Sequence, residues 1–343
     1  MRWDPLRLDA APPAPGTSPA LFARGAVTRR FDTPGFQGLT CHEVQARSAL
    51  NRVPAASQVP FRWTVNPYRG CAHACVYCFA RRTHAYLDLG TGEDFDRQIV
   101  VKVNVAEVLR RELAAPTWRG EHVAMGTNVD CYQRVEGRYR LMRGVLAALR
   151  DAANPFSLLT KSALVLRDLD LLRQAAAATS VSASVSVGFL DETLWRRVEP
   201  GTPPPARRLD VCRRLGDAGL PTGVLMAPIL PFLTDDDAAL QAAVAAIAAA
   251  GAAYVVPIVL HLRPGAREWF TAWLHRHHPQ LVPRYAALYR GGSYAARAYQ
   301  DDVLRRVGEL ARRHGLASGP GRAAGGVPAP PPTPAYGEQL ALL

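Results

Sequence analysis

Cys71-Ala72-His73-Ala74-Cys75-Val76-Tyr77-Cys78 places three thiols at C-x3-C-x2-C spacing, which supplies three metal ligands and not four. A structural zinc site closes a tetrahedron, so a fourth ligand is needed, and His73 or His84 would have to provide it. A [4Fe–4S] cluster on three thiolates instead leaves one iron open, and cysteine thiolates are its usual protein ligands. A disulfide would leave one cysteine over, and nothing in the chain looks secreted. Two metal readings stand on the triplet alone: an open cluster and a zinc-stabilised module.

The rest of the chain sets the frame. At 343 residues it can hold one large domain with a deep core, plus tails. No run reaches the roughly 18–20 apolar residues of a membrane span. The nearest, the alanine-rich stretch 238–253, follows Asp235-Asp236-Asp237 and meets Gly251, as an ordinary amphipathic helix would. The N-terminus lacks a charged-then-apolar leader, so the expected location is cytoplasmic, with no membrane partner. The net charge of +12 is almost entirely arginine, Lys102 and Lys161 being the only lysines. Guanidinium groups suit phosphate contacts, although a GC-rich coding sequence would produce the same excess.

Organisation follows from composition and periodicity. Ala10-Ala11-Pro12-Pro13-Ala14-Pro15 lies in an N-terminal extension, 1–42, expected to be partly disordered. Pro328-Ala329-Pro330-Pro331-Pro332 marks a flexible tail, 318–343, and the core domain is expected over 43–317. Within it, strands are expected at 62–65, 122–125, 156–160, 180–187, 223–227 and 254–262. Helices are expected at 104–114 (with a capping box from Asn104 and Glu107), 138–152, from 168, at 205–218 and over the alanine-rich stretch. Six βα repeats predict a parallel sheet with helices outside, either open or curved into a barrel. Active-site loops of such folds lie at the carboxyl ends of the strands, and the cysteine loop follows the first strand.

With Tyr77 before its last cysteine, the triplet reads C-x3-C-x-aromatic-C and resembles the signature of the radical S-adenosylmethionine (SAM) superfamily. That resemblance implies a partial (β/α)6 barrel of the TIM type, a [4Fe–4S] cluster on Cys71, Cys75 and Cys78, and SAM on the open iron. It further implies reductive cleavage of SAM to a 5′-deoxyadenosyl radical, and a reducing partner of the flavodoxin or ferredoxin type. The strand ends carry groups suited to such a ligand. Gly126, Thr127, Asn128 and Asp130 follow the second strand, and Lys161 follows the third as a compact cation for the SAM carboxylate. Ser182, Ser184 and Ser186 share one face of the fourth strand, and Met226 with Ala227-Pro228-Ile229 offers an apolar shelf for adenine. Glu199 and an arginine of Arg207-Arg208 are expected either to pair structurally or to position the ligand.

Further motifs narrow the likeness. Asn66-Pro67-Tyr68-Arg69-Gly70, Gly126-Thr127-Asn128 with Tyr132-Gln133, Leu159-Thr160-Lys161-Ser162 and Glu199-Pro200-Gly201-Thr202 resemble the spore photoproduct lyase-like group. The lyase acts on a thymine dimer in DNA, so a nucleic-acid substrate is one reading; modification of a peptide or small metabolite is the other. The resemblance also implies a hydrogen-donating cysteine near the second strand's loop. Cys131 sits there, some residues later than the lyase's would fall, and is the candidate donor, with a small buried residue as the alternative. Cys212 lies on an apolar helix stripe with Leu209 and Leu215 and is expected in the core. Aromatic and arginine residues interleave from Arg263 to Tyr299, which suits either base stacking with phosphate contact or helices closing the barrel.

Overall fold

The structure is a computed structural model that describes residues 26–54, 57 and 59–318. Twelve strands occur among them: Val27–Arg30 (β1), Thr40–Val44 (β2), Leu50–Arg52 (β3), Trp63–Val65 (β4), Tyr68–Arg69 (β5), Gln98–Lys102 (β6), Val123–Met125 (β7), Phe156–Thr160 (β8), Val181–Ser186 (β9), Thr222–Ile229 (β10), Tyr254–Val259 (β11) and Ala317–Ser318 (β12). Six of them, β4, β7, β8, β9, β10 and β11, lie side by side in chain order, and every neighbouring pair is parallel. β3 pairs antiparallel with β4 at one edge, and β12 joins β11 at the other. A helix follows each parallel strand, which gives the partial (β/α)6 barrel expected from six βα repeats.

These strands are short apolar runs because both faces are covered. All three residues of β7 are buried, and β8 alternates buried and half-buried side chains. The helices outside present one apolar stripe each. In Val105–Leu113 the buried residues Val105, Val108, Leu109 and Leu113 recur at helical spacing. Cys212 is buried beside Leu215, as its stripe predicts. The alanine-rich helix spans Asp237–Ala249 and is capped by the Asp236 carboxylate, which accepts from the Ala239 N–H at 2.9 Å. Among the described residues no helix is long and apolar enough to cross a membrane.

Two local expectations are corrected. The helix expected over 138–152 is two pieces, Glu136–Tyr139 and Leu141–Asp151, separated by Arg140 at a φ of 53°. The break is made by the Glu136 carboxylate, which accepts from the N–H groups of Leu141 (3.0 Å) and Met142 (3.1 Å) and so caps the second piece. Asn104 precedes its helix but makes no side-chain cap. Its amide instead clamps Ala46, accepting from the N–H at 2.7 Å and donating to the carbonyl at 3.0 Å.

A second sheet, in the order β1-β2-β6-β5, stands beside the barrel. β2 pairs in parallel with β6, Cys41 opposite Ile99, so position 42 lies inside a paired strand. The proline-rich segments of both termini lie outside the described residues.

Candidate functional site

The cysteine loop begins where β5 ends. Gly70 has a φ of +80°, and a Cβ there would sit 2.8 Å from the Gln98 carbonyl oxygen and 2.9 Å from the His84 ring, so only glycine fits. Gln133 then grips the loop from both sides: its Nε2 donates to the Gly70 carbonyl at 2.8 Å and its Oε1 accepts from the Ala72 N–H at 2.8 Å. The Cys71 N–H donates to the Phe95 carbonyl at 2.9 Å. From the far side, the Gly201 N–H donates to the His73 carbonyl at 3.1 Å, and a Cβ on Gly201 would come within 2.1 Å of the Ala72 oxygen. Cys71 and Cys75 are buried, Cys78 is half-buried, and none is in a disulfide. Burial pushes all three thiols above the usual range.

Beside the loop lies a polar chain built from three strand ends. Lys161, just past β8, donates from Nζ to Ser186 Oγ at 2.6 Å and lies 3.9 Å from Glu199 Oε1. Ser186 at the end of β9 donates in turn to the Ala227 carbonyl at 2.9 Å. Glu199 is fully enclosed, bonded by Arg208 Nη2 and by the Tyr77 hydroxyl, so the expected structural pairing of Glu199 with Arg208 is present. Burial opposes the Glu199 charge, but Arg208 and Lys161 outweigh it and hold the carboxyl below its ordinary value. Burial likewise keeps the Tyr77 phenol protonated and therefore a donor.

At the end of β7, Gly126 has a φ of +77°, and a Cβ there would lie 1.8 Å from the Leu159 carbonyl oxygen. Thr127 and Asn128 are half-buried and make no side-chain hydrogen bond to any described residue. Asp130 is engaged within the protein: Oδ1 accepts from Thr160 Oγ1 (2.7 Å) and the Tyr132 N–H (2.9 Å), and Oδ2 accepts from the Lys161 N–H (2.7 Å). His73 Nδ1 stands 3.3 Å from the same carboxylate. Asp130 thus ties the cysteine loop to the end of β8.

The other expected site residues are bonded or packed within the protein. Ser184 bonds the Tyr254 hydroxyl on β11 at 2.8 Å, and Met226 is fully buried in the main apolar cluster. Cys131 is fully buried in the same cluster, directly after Asp130. Of the interleaved aromatics after β11, Trp273, Tyr285 and Tyr289 are buried. Tyr285 and Tyr289 donate to the Pro231 and Leu260 carbonyls, each at 2.7 Å, so the segment packs on the ends of β10 and β11. Tyr294 is exposed, as are Phe79 and Tyr86. Nothing in the sequence warns of Arg81, a fully buried guanidinium in the short helix Phe79–Leu87 that follows the cysteine loop, whereas its neighbour Arg82 is exposed.

A parallel partial barrel with three thiols at the end of its first strand and unspent polar groups at the next is the frame of a cofactor-dependent barrel enzyme. The family model of the radical SAM superfamily matches residues 65–242. The chain belongs to the radical SAM superfamily, and it is an enzyme of that type. It is similar to an uncharacterized protein of Mycobacterium tuberculosis, with 49% identity over 337 residues, 98% of this chain and 97% of the relative. An uncharacterized protein of Methanocaldococcus jannaschii is 28% identical over 195 residues, 56% of this chain and 69% of the relative. Among solved structures, spore photoproduct lyase complexed with dinucleoside spore photoproduct superposes with a TM-score of 0.60 at 15% identity, covering 81% of each chain. A variant of that lyase with bound AdoMet and dinucleoside spore photoproduct gives 0.57 at 15% identity over 77% of each chain. The fold is spore photoproduct lyase-like.

The family implies a [4Fe–4S] cluster and SAM; among the described residues no three metal-ligating side chains are gathered into a metal site, and it is the types of donor present that suit both groups. The two histidines that would complete a zinc tetrahedron are directed elsewhere, His73 to Asp130 and His84 Nε2 to the Gln98 carbonyl at 2.9 Å. Three free thiols on one glycine-cradled loop are a cluster's donor set. Thr127 and Asn128 supply the unpartnered polar groups a bound amino acid moiety needs.

Proposed function

We propose that this chain holds a [4Fe–4S] cluster on Cys71, Cys75 and Cys78 and uses it with SAM for hydrogen abstraction. One observation carries the reading: two buried thiols and a half-buried third, none in a disulfide, share the loop after β5, and Lys161 Nζ lies 6.0 Å from the ring centre of Tyr77 on that loop. When bound and reduced by an external donor of the flavodoxin or ferredoxin type, the cluster and SAM supply a 5′-deoxyadenosyl radical.

The protein's own residues bind and orient. Lys161 Nζ, fixed by Ser186 and offset from Glu199, would hold the SAM carboxylate as a point charge. Thr127 and Asn128 would accept from the SAM amine, and Gly126 lets the end of β7 lie against the β8 backbone beside them. Tyr77 walls the site, its hydroxyl held by Glu199. Asp130 and Ser184 act through other residues, Asp130 by fixing the start of Lys161 and Ser184 by fixing Tyr254. The total burial of Cys131 favours packing over hydrogen donation; if Cys131→Ala lowers product formation while SAM cleavage persists, donation is its role.

Iron and sulfide analysis of the anaerobically reconstituted protein tests the cluster. About four of each per chain, lost in Cys71→Ala, supports the reading, whereas one tightly held zinc overturns it. A nucleic-acid substrate is favoured over a peptide or metabolite by one feature: Arg263 stacks over exposed Phe79 at 5.5 Å, on the residue next to Cys78. Retention on DNA that weakens with salt supports it, and no retention at low salt removes it.

A further inference from the structure

Arg81 has no exposed surface, which is rare for a charge and requires that its donors be spent. They are. Nε and Nη2 donate to the Cys75 carbonyl at 3.3 and 2.9 Å, and Nη2 also meets both oxygens of Asp96 at 2.8 and 3.0 Å. Nη1 donates to the carbonyls of Gly92 (2.8 Å) and Thr91 (3.3 Å). The guanidinium lies between two rings, 5.2 Å from the centre of Phe95 and 5.0 Å from that of Trp269. Trp269 belongs to the helix Ala266–His277, which follows β11, and a Cβ on Gly92 would sit 2.7 Å from its indole. One side chain therefore joins the cysteine loop, the segment before β6 and the helix after β11.

We propose that Arg81, opposed by Asp96, sets the reduction potential of the cluster held by Cys71, Cys75 and Cys78. The inference rests on the cluster reading above. A positive charge fixed in a water-excluded site stabilises the reduced cluster, which carries one more electron, and little solvent is present to screen it. The guanidinium bonds the Cys75 carbonyl directly, whereas Asp96 is bonded to the guanidinium. Asp96 meets the guanidinium on Nη2, the nitrogen that also holds the Cys75 carbonyl, so the carboxylate opposes the cation without replacing its contact to the loop. The bonds to the Cys75 carbonyl make Arg81 a positioning residue as well, since that carbonyl belongs to the peptide of one of the three cysteines.

The charge and the positioning separate by substitution. Arg81→Gln removes the cation and shifts the potential to more negative values. Asp96→Asn removes the opposing charge and shifts it to less negative values. Arg81→Lys keeps the charge with fewer donors, so the potential stays near that of the wild type while the cluster is held less firmly. The measurement is an anaerobic redox titration of reconstituted protein, followed by the electron paramagnetic resonance of the reduced cluster, with iron and sulfide content determined for each variant. Opposite shifts for Arg81→Gln and Asp96→Asn at wild-type iron content support the proposal. Shifts of the same sign, or none, overturn it. If Arg81→Gln does not fold, a potential that fails to rise in Asp96→Asn overturns it alone. A wild-type protein that binds no cluster overturns the underlying reading, and the proposal with it.

Discussion

Lys161 and Ser186 meet at 2.6 Å across the ends of β8 and β9, ammonium to hydroxyl, one step from the enclosed Glu199 carboxylate. Ser186 donates its own hydrogen bond to the Ala227 carbonyl on β10, so three adjacent strand ends fix one ammonium group. The cation is held in place before any ligand arrives, which lowers the ordering cost of binding an anion there.

Removing that cation tests its role. Lys161→Met leaves Glu199 bonded to Arg208 and Tyr77, so the fold survives. SAM affinity should fall roughly 10- to 100-fold, the worth of one hydrogen bond to a charged group. Equilibrium binding to the reconstituted protein reads this, and unchanged affinity assigns Lys161 to the Glu199 network alone.

Gly126 and Gly120 form an internal comparison. Both have positive φ, but a Cβ at Gly126 would lie 1.8 Å from the Leu159 carbonyl oxygen, while Gly120 has nothing within 4 Å. Gly120→Ala should cost only the left-handed penalty, about 1–2 kcal/mol. Gly126→Ala must displace the backbone of β8 and should cost about 4 kcal/mol or more, at the upper end for single substitutions. Denaturant midpoints of the two variants check the difference; equal losses would mean that β7 and β8 do not approach as described.

Acid stability has a worked sign. His84 is buried against Phe95, with Nδ1 unpartnered, and burial pulls its pKa down to about 4. The pKa is depressed on folding, so its contribution is full above the ordinary value near 6.5 and is lost as pH falls toward 4, roughly 3 kcal/mol in all. His261, also pulled down to about 4 by burial, adds the same trend. Asp96 opposes it, because burial raises its carboxyl to about 6 despite Arg81, and its contribution fades as pH rises from 4 to 6. Two histidines against one aspartate give a net loss of stability on acidification through this window. Denaturant midpoints of the cluster-free protein should fall between pH 6.5 and 4, and the fall should shrink in His84→Asn. An identical fall in both proteins contradicts the assignment.

Much of the barrel is legible because its strands are short apolar runs bounded by caps, and Phe156–Thr160 falls where its pattern puts it. What escapes has a tertiary cause. Apolar periodicity runs through Arg140 unbroken, and only the Glu136 carboxylate, folded onto Leu141 and Met142, splits that helix. The second sheet is hidden because Thr40–Val44 carries polar residues and finds its partner, Gln98–Lys102, more than fifty residues away. In the site, cysteine spacing and a rare lysine speak for themselves. The destinations of Asp130 and Ser184 do not, since their partners Thr160 and Tyr254 lie on other strands. Arg81 reads the same as the exposed Arg82 beside it until the positions of Asp96 and Trp269 are known.

The central claim is that the three thiols carry a cluster which cleaves SAM. The direct measurement is 5′-deoxyadenosine formation by anaerobically reconstituted protein given dithionite and SAM, beside the Cys71→Ala, Cys75→Ala and Cys78→Ala variants. The account predicts product from the wild type and none above background from any of the three. A wild type that binds a four-iron cluster and SAM yet forms no 5′-deoxyadenosine would contradict it.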